Sequence, residues 1–595
     1  MDKTRHLWTL PLLTAALALG GCFDRTNTVE VKIIKSDACD ACGSSPDPMQ
    51  DVTHLRVRFV NDTRCGPVDE GGVRHCQVNG GQECEADEQC GFGSSILDRV
   101  VQVGAGSLPF EQIQAGVPMT VQIAGFAGSP PDGIVLSFGR SAPFTVPVEK
   151  SAGQPASTAL VFFRPVERFS PVNLASDPSV RTTLSAPRAG HTATLLDDGR
   201  VLIAGGFDTT GASGASLKDS TAWTYQESVE IFDPLTGAIS TEAPPMNRLG
   251  RNTPRAFHSA VKLPSNQVLI AGGEYATRSS GKSVMNTASD STILYDPTID
   301  SAGGWVTQPS SVKRSRQVAV VEQSNKVLLF GGLFWDGTST NVPTYNQGFE
   351  WYNPDVNAFT RLETSAQGPL NTAAGHAGIP LYGGKYIGFA GGSRLDTGTT
   401  AKMNQDRAVR FFMYNSTANK MQEQAFIGMS VPRTYPALAG QGARYIITGG
   451  FQSFDPAKWW DLFPTNPYSG TDILDLKGPG NQPQILMGPS LDVPRGHACA
   501  VTLQDGRMMV VGGRGGQTTL GSIANSGFFV DDGDENPAVA FTFEKGDDLE
   551  EARFFHTCTL LLDGSVLVTG GVQEKGSEFV TLSSVEIFVP RPPAD

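Results

Sequence analysis

From residue 187 onward the apolar positions come in short runs, each closed by a turn residue, and one layout keeps returning. The clearest copy opens on Pro187-Arg188-Ala189-Gly190-His191. An apolar run to Leu196 follows, then the turn Asp198-Gly199, a second run Val201-Leu202-Ile203-Ala204, and Gly205-Gly206. Asp-Gly between two apolar runs predicts a β-hairpin, because a tight turn needs residues that tolerate positive φ. Gly-Gly closes a second run again at Gly272-Gly273, Gly331-Gly332, Gly391-Gly392, Gly449-Gly450, Gly512-Gly513 and Gly570-Gly571. The steps between first glycines are 67, 59, 60, 58, 63 and 58. A period this regular predicts an array of like units.

Copies beginning at Pro254, Pro494 and Ala552 keep the full layout, and those from Arg314, around His376 and from Pro432 are looser. After a variable stretch a third strand follows, at Ser228–Pro234, Ser291–Pro297, Phe349–Pro354, Val409–Asn415 and Ser584–Pro590. A weaker fourth strand follows in the first six units. Four antiparallel strands per unit make a propeller blade, so the expected fold is all-β, a seven-bladed propeller over residues 166–590. The last unit stops at its third strand, and Val166 to Ala175 is placed to supply the fourth and leave no open edge. Upstream, period-two alternation at His54 to Val60, Pro118 to Ala124 and Ile134 to Val148 predicts a small β-sandwich within a module of residues 22–165.

The double glycine, the aromatic-Asp-Pro third strand and the Arg-x-x-His opening resemble kelch-repeat propellers, the fold shared with the galactose oxidase family. The resemblance covers roughly residues 166–590 and implies fold more strongly than function, since propellers host enzymes, adhesins and scaffolds alike. For a copper radical oxidase it implies a Tyr-His dipeptide among the metal ligands and a cysteine crosslinked to a ligand tyrosine. This chain has no Tyr-His and no identifiable match for that cysteine. It also lacks Gly-x-Ser-x-Gly, His-Glu-x-x-His and P-loop motifs.

The first residues change the picture from a free propeller to an anchored one. Lys3, Arg5 and His6 precede an apolar run from Leu7 to Leu19, too short to span a bilayer comfortably. It runs into Leu19-Gly20-Gly21-Cys22, which resembles the lipobox of bacterial lipoproteins. Residues 1–21 then read as a signal peptide, Cys22 as the acylated residue, and residues 591–595 as a tail. Phe23 after the cysteine, where an inner-membrane signal would place Asp, predicts the outer membrane. Setting Cys22 aside leaves eight cysteines, of which Cys39, Cys42, Cys65, Cys76, Cys84 and Cys90 crowd into one segment. In an oxidising compartment these predict a disulfide framework with fifteen possible connectivities. Cys39-x2-Cys42 with His54 or His75 is the weaker zinc reading, since no second closely spaced pair accompanies it. The net charge of −14 disfavours nucleic acid and anionic membrane surfaces as partners.

Several residue sets could carry chemistry. Arg188, Arg255, Arg314, Arg433, Arg495 and Arg553 precede the first strand in six units. On one face of an acidic protein they could attract a carboxylate or phosphate, or tie each blade to its neighbour. The loop after Gly450 carries Phe454, Trp459, Trp460, Phe463 and Tyr468. It is either a ligand-docking surface for a sugar or protein, with Trp459 and Trp460 at its centre, or a folded-back mini-core. His191, His258, His376, His497 and His556 read as one repeat position that bonds between blades rather than as a metal cluster. Cys499 and Cys558, each two residues after a histidine, could pair nucleophile with base. Ala193, Ala260, Ala319, Gly378 and Ala437 in the other copies favour a site that needs only a small residue. Asp531 to Asn536 could hold calcium but lacks the calcium-loop glycine and terminal glutamate. The expectation is therefore a monomeric, non-catalytic envelope lipoprotein without cofactor or metal, binding a protein or glycan. The alternative is an envelope polysaccharide-acting enzyme, an oxidase or hydrolase, using the top face of the propeller.

Overall fold

The computed structural model describes residues 29–35, 47–63, 65–68, 74–76, 93–103, 113, 116–141, 143–146, 157–210, 223–241, 243, 245–246, 254–279, 282–299, 303–309, 311–334, 344–345, 348–365, 374–382, 384–396, 402–453, 462–534, 540–576 and 578–592. They are almost wholly β-structure, in two compact units. The first holds residues 1–182 with 234–238 and 588–595, and the second holds the remainder.

In the first unit, hydrogen bonding joins the strands into one sheet in the order Val29–Lys35, Ser157–Pro165, Ile134–Arg140, Pro118–Ala127, His54–Asn61 and Ser95–Gln102. His54–Asn61 alternates buried and half-buried residues, as its sequence pattern predicts, and Val57, Phe59, Val121, Ile123, Val161 and Phe163 fill the core. A separate ribbon pairs Cys65 with Cys76 in register, and Cys76 is buried and disulfide-bonded. Cys22, Cys39, Cys42, Cys84 and Cys90 lie outside the described residues. Arg168–Pro171 pairs with the end of Val585–Val589, where Phe169 packs on Phe588 at 5.3 Å.

The second unit repeats one four-stranded antiparallel meander. In its second copy the order is Ser259–Lys262, Val268–Ala271, Thr292–Asp296, Gly304–Thr307. There are five four-stranded sheets and one of eight, which consists of two such meanders joined where Glu363–Ser365 runs parallel to Lys420–Gln422. Each four-stranded sheet carries one Gly-Gly pair and the eight-stranded sheet carries two. First strands such as Ser259–Lys262 are half-buried throughout, whereas second strands such as Val268–Ala271 are fully buried. That gradient marks first strands lining a solvated axis and second strands forming the apolar layer between neighbouring blades. Leu263, Leu269, Leu294, Val327, Leu329 and Tyr352 make one such inter-blade core.

Candidate active site

The arginine that opens each blade and the Gly-Gly that closes its second strand work together. The arginine donates Nη1 to the carbonyl of the first glycine in its own blade, as Arg188 does to Gly205 (2.9 Å), Arg255 to Gly272 (3.0 Å) and Arg553 to Gly570 (2.9 Å). Its carbonyl accepts the N–H of the second glycine of the preceding blade. Gly206 donates to Arg255 at 2.7 Å, Gly273 to Arg314 at 2.9 Å, and Gly571 to Arg188 at 2.8 Å, which closes the circle. Gly205 has φ 62°, and a Cβ there would sit 2.5 Å from the Arg255 carbonyl oxygen, so a side chain is refused twice.

These contacts correct the expectation that the arginines form an anion-binding circle. All six are buried. Arg188 pairs with Glu230, Arg314 with Glu350 (3.2 Å), Arg433 with Asp472 (2.5 Å) and Arg553 with Glu586, each a third-strand carboxylate. Arg255 takes the Ser291 hydroxyl instead, and Arg495 takes Asn525 and Asp492. A guanidinium enclosed in this way ties a blade and has no face left for a ligand.

Two residues beyond each arginine the chain does something costlier. Phe257 (φ 53°), Arg316 (59°), Tyr435 (52°), His497 (53°) and Phe555 (55°) all hold left-handed backbone, as do Gly190 and Gly375. Non-glycine residues there carry about 1–3 kcal/mol of strain each, and such strain collects at functional sites. Their peptide groups are linked in two runs around the axis, Phe555 to Arg316 and Gly375 to His497. Gly190 N–H donates to Phe555 O (2.9 Å), Phe257 to Gly190 (2.8 Å), Arg316 to Phe257 (3.0 Å), Tyr435 to Gly375 (2.6 Å) and His497 to Tyr435 (3.4 Å). The side chains converge at one end of the axis. Tyr435 and His497 rings are 4.2 Å apart, His497 and Phe555 4.4 Å, and Phe555 and Phe257 5.4 Å. The Arg316 guanidinium lies 5.4 Å from the Phe257 ring and is held by both oxygens of Glu274 at 3.1 and 3.2 Å.

His497 therefore does not share a position with the other four histidines, which lie three residues after the blade-opening position. Its Nε2 meets the Leu462 carbonyl at 2.8 Å, which fixes the proton on Nε2 and leaves Nδ1 as the acceptor. Burial holds its pKa down to about 3, so the imidazole is neutral. The same carbonyl belongs to the aromatic loop after Gly450, whose Phe463 is buried against Phe554, Phe555 and Phe579. The described end of that loop thus packs on the ring, while Phe454, Trp459 and Trp460 lie outside the described residues. The ring is hidden in the sequence because five residue types share its seven positions. Counting two positions from the six arginines aligns all of them but Gly375, whose unit opens on Ala373.

The remaining histidines reach from one blade into the one before it. His258 Nε2 meets Thr192 Oγ1 at 2.8 Å, His191 meets Thr569 Oγ1 at 2.8 Å, and His556 meets Cys499 Sγ at 3.1 Å. Burial lowers the pKa of His258 and His556 to about 3 and that of His376 to about 4. Cys499 and Cys558 are not free small residues but a disulfide, with Cα atoms 6.0 Å apart, between the first strands of neighbouring blades. Cys499 takes the place of Thr192 and Thr557, whereas Cys558 takes that of Ala193. In the acidic turn, Asp531 Oδ1 accepts from Arg444 at 2.7 Å and from the Gly533 N–H at 3.0 Å, a solvated turn tied by an ion pair.

No protein-family model matches the chain. Two curated galactose oxidase sequences from Gibberella zeae, one of them from strain PH-1, are 24% identical to it over 390 residues, which is 63% of this chain and 49% of theirs. It is a galactose-oxidase-like kelch propeller. The chain spans about half the length of those curated relatives. Among solved structures, a fungal alcohol oxidase of the AA5 family in complex with copper aligns at a TM-score of 0.47 and 16% identity, over 69% of this chain and 75% of that one. The YjhT structure aligns at 0.39 and 13%, over 56% and 93%. The galactose-oxidase-like relatives are enzymes, and this overturns the expectation of a non-catalytic protein.

Copper is the group such relatives imply, and the ring does not fit it. Copper(II) takes several nitrogen and oxygen donors in a tetragonal set. Here one imidazole and one phenol stand beside Phe257, Phe555 and the cation of Arg316, which offer no ligand atom. Among the described residues, the group of histidine, cysteine and carboxylate side chains spaced to hold a metal is Cys499, His556 and Cys558, whose two sulfurs are joined to each other.

Proposed function

We propose that this galactose-oxidase-like propeller is an exported enzyme acting on envelope polysaccharide at the axial ring. The observation that carries the reading is the convergence of five strained, non-glycine residues on one end of the axis. Phe257 and Phe555 offer faces for a sugar ring to stack on. His497, neutral with Nδ1 unprotonated, offers a hydrogen-bond acceptor to a sugar hydroxyl, and Tyr435 beside it offers a donor. The Arg316–Glu274 pair sets the polarity of the opposite wall. The lipobox resemblance at Cys22 supports anchoring in the outer membrane, within reach of such a substrate.

The test is turnover of envelope polysaccharides and their oligosaccharides by the soluble form beginning at Phe23, beside His497→Ala and Tyr435→Phe. The expected result is product formation that falls at least a hundredfold in His497→Ala and about tenfold or more in Tyr435→Phe, with both variants still folded by circular dichroism at the assay temperature. Turnover indifferent to both substitutions would remove the ring as the active site.

A further inference from the structure

One feature of the axis lies outside the ring and is not needed by it. Cys499 on the first strand of one blade and Cys558 on the first strand of the next meet at the Nε2 edge of His556. The ligand atoms of all three lie within 4.8 Å of one another. Both cysteines are half-buried on strands that line the axis, while the histidine is buried behind them. In the blade pair that closes the circle, the same interaction is made by His191 with Thr557 (3.3 Å) and Thr569. Hydroxyls therefore suffice to tie blades together, and two sulfurs exceed what that contact requires.

We infer that Cys499, Cys558 and His556 form a redox-gated site for zinc, closed as a disulfide and opened by a dithiol reductant. Two electrons and two protons from the reductant break the S–S bond and give two thiols, while the reductant becomes the corresponding disulfide. Zinc then displaces the two thiol protons and binds two thiolates and the neutral Nε2 of His556. Two sulfurs and one imidazole are a set that zinc favours, and three protein ligands leave a fourth position open toward the axis. The site is independent of the axial ring and of the activity proposed for it.

Two neighbouring blades supply substitutions that the fold already accommodates. Cys499→Thr with Cys558→Ala restores the pair found at Thr192 and Ala193. His556→Gln copies Gln317, the residue at that position in the third unit, whose Nε2 donates to Ala271 O at 2.7 Å. The soluble full-length protein is reduced with a dithiol, freed of reductant without air, and titrated with cobalt, then with competing zinc. Wild type is expected to take up one more equivalent of cobalt than Cys499→Thr/Cys558→Ala, with thiolate-to-cobalt charge-transfer absorption that zinc abolishes. His556→Gln is expected to bind at least about tenfold more weakly. The cysteines upstream of the propeller are common to all variants, so the difference belongs to this site. Equal uptake by wild type and the double variant, or no gain on reduction, would overturn the proposal.

Discussion

A histidine kept neutral by burial makes the propeller sensitive to acid. His258 and His556 titrate at about 3 when folded and His376 at about 4, against about 6.5 for an exposed imidazole. Between those values the unfolded chain binds a proton that the folded chain refuses. Stability is therefore complete above about pH 6.5 and declines as pH falls, by roughly 1.4 kcal/mol per pH unit for each such histidine. Denaturant unfolding from pH 7 to pH 4.5 should show this slope, and His258→Gln should lower it by close to one proton. Arg188 acts in the opposite sense. Cutting it to alanine leaves the Glu230 carboxylate buried without its cation, and the expected loss is about 3–5 kcal/mol in equilibrium unfolding. An arginine before the first strand of six units was plain in the sequence. Its burial was not, because the carboxylate that encloses it lies some forty residues away on a third strand.

At the scale of the blade, the meander rests on the Gly-Gly corner. Gly205→Ala should destabilise by roughly 2–3 kcal/mol, since it adds left-handed strain to a clash with the Arg255 carbonyl. Thermal unfolding of the variant checks this, with Gly576→Ala as the comparison, where a Cβ would meet nothing within 4 Å and only the strain of φ 65° remains. The strands were readable because short apolar runs closed by turn residues recur on a fixed period, and the Asp-Gly turns carry their own chemistry. The ring was harder to read. Phe257, Arg316, Tyr435, His497 and Phe555 share a backbone conformation rather than a residue type, and sequence displays types. The disulfide between Cys499 and Cys558 escaped for a related reason. The two cysteines are 59 residues apart and meet only once neighbouring blades are placed side by side.

For the whole molecule, the lipid anchor proposed from the lipobox resemblance at Cys22 has a direct test. Cys22→Ser is expected to move it from the membrane fraction to the soluble fraction without altering the propeller's melting temperature. Membrane fractionation followed by immunodetection reads the outcome, and an unmoved variant would end the lipid-anchor reading.

The peptide hydrogen bonds between ring residues at the axis belong to the backbone alone. Each ring residue contributes its N–H, its C=O or both to these links whatever its side chain, and glycine, phenylalanine, arginine, tyrosine and histidine all fill the role here. Closure of the scaffold and the chemistry of its mouth are thus inherited separately. A point mutation that exchanges one non-glycine ring residue for another can change the chemistry of the mouth while leaving these backbone links in place, so propellers of this build can diverge in reaction at no added backbone strain.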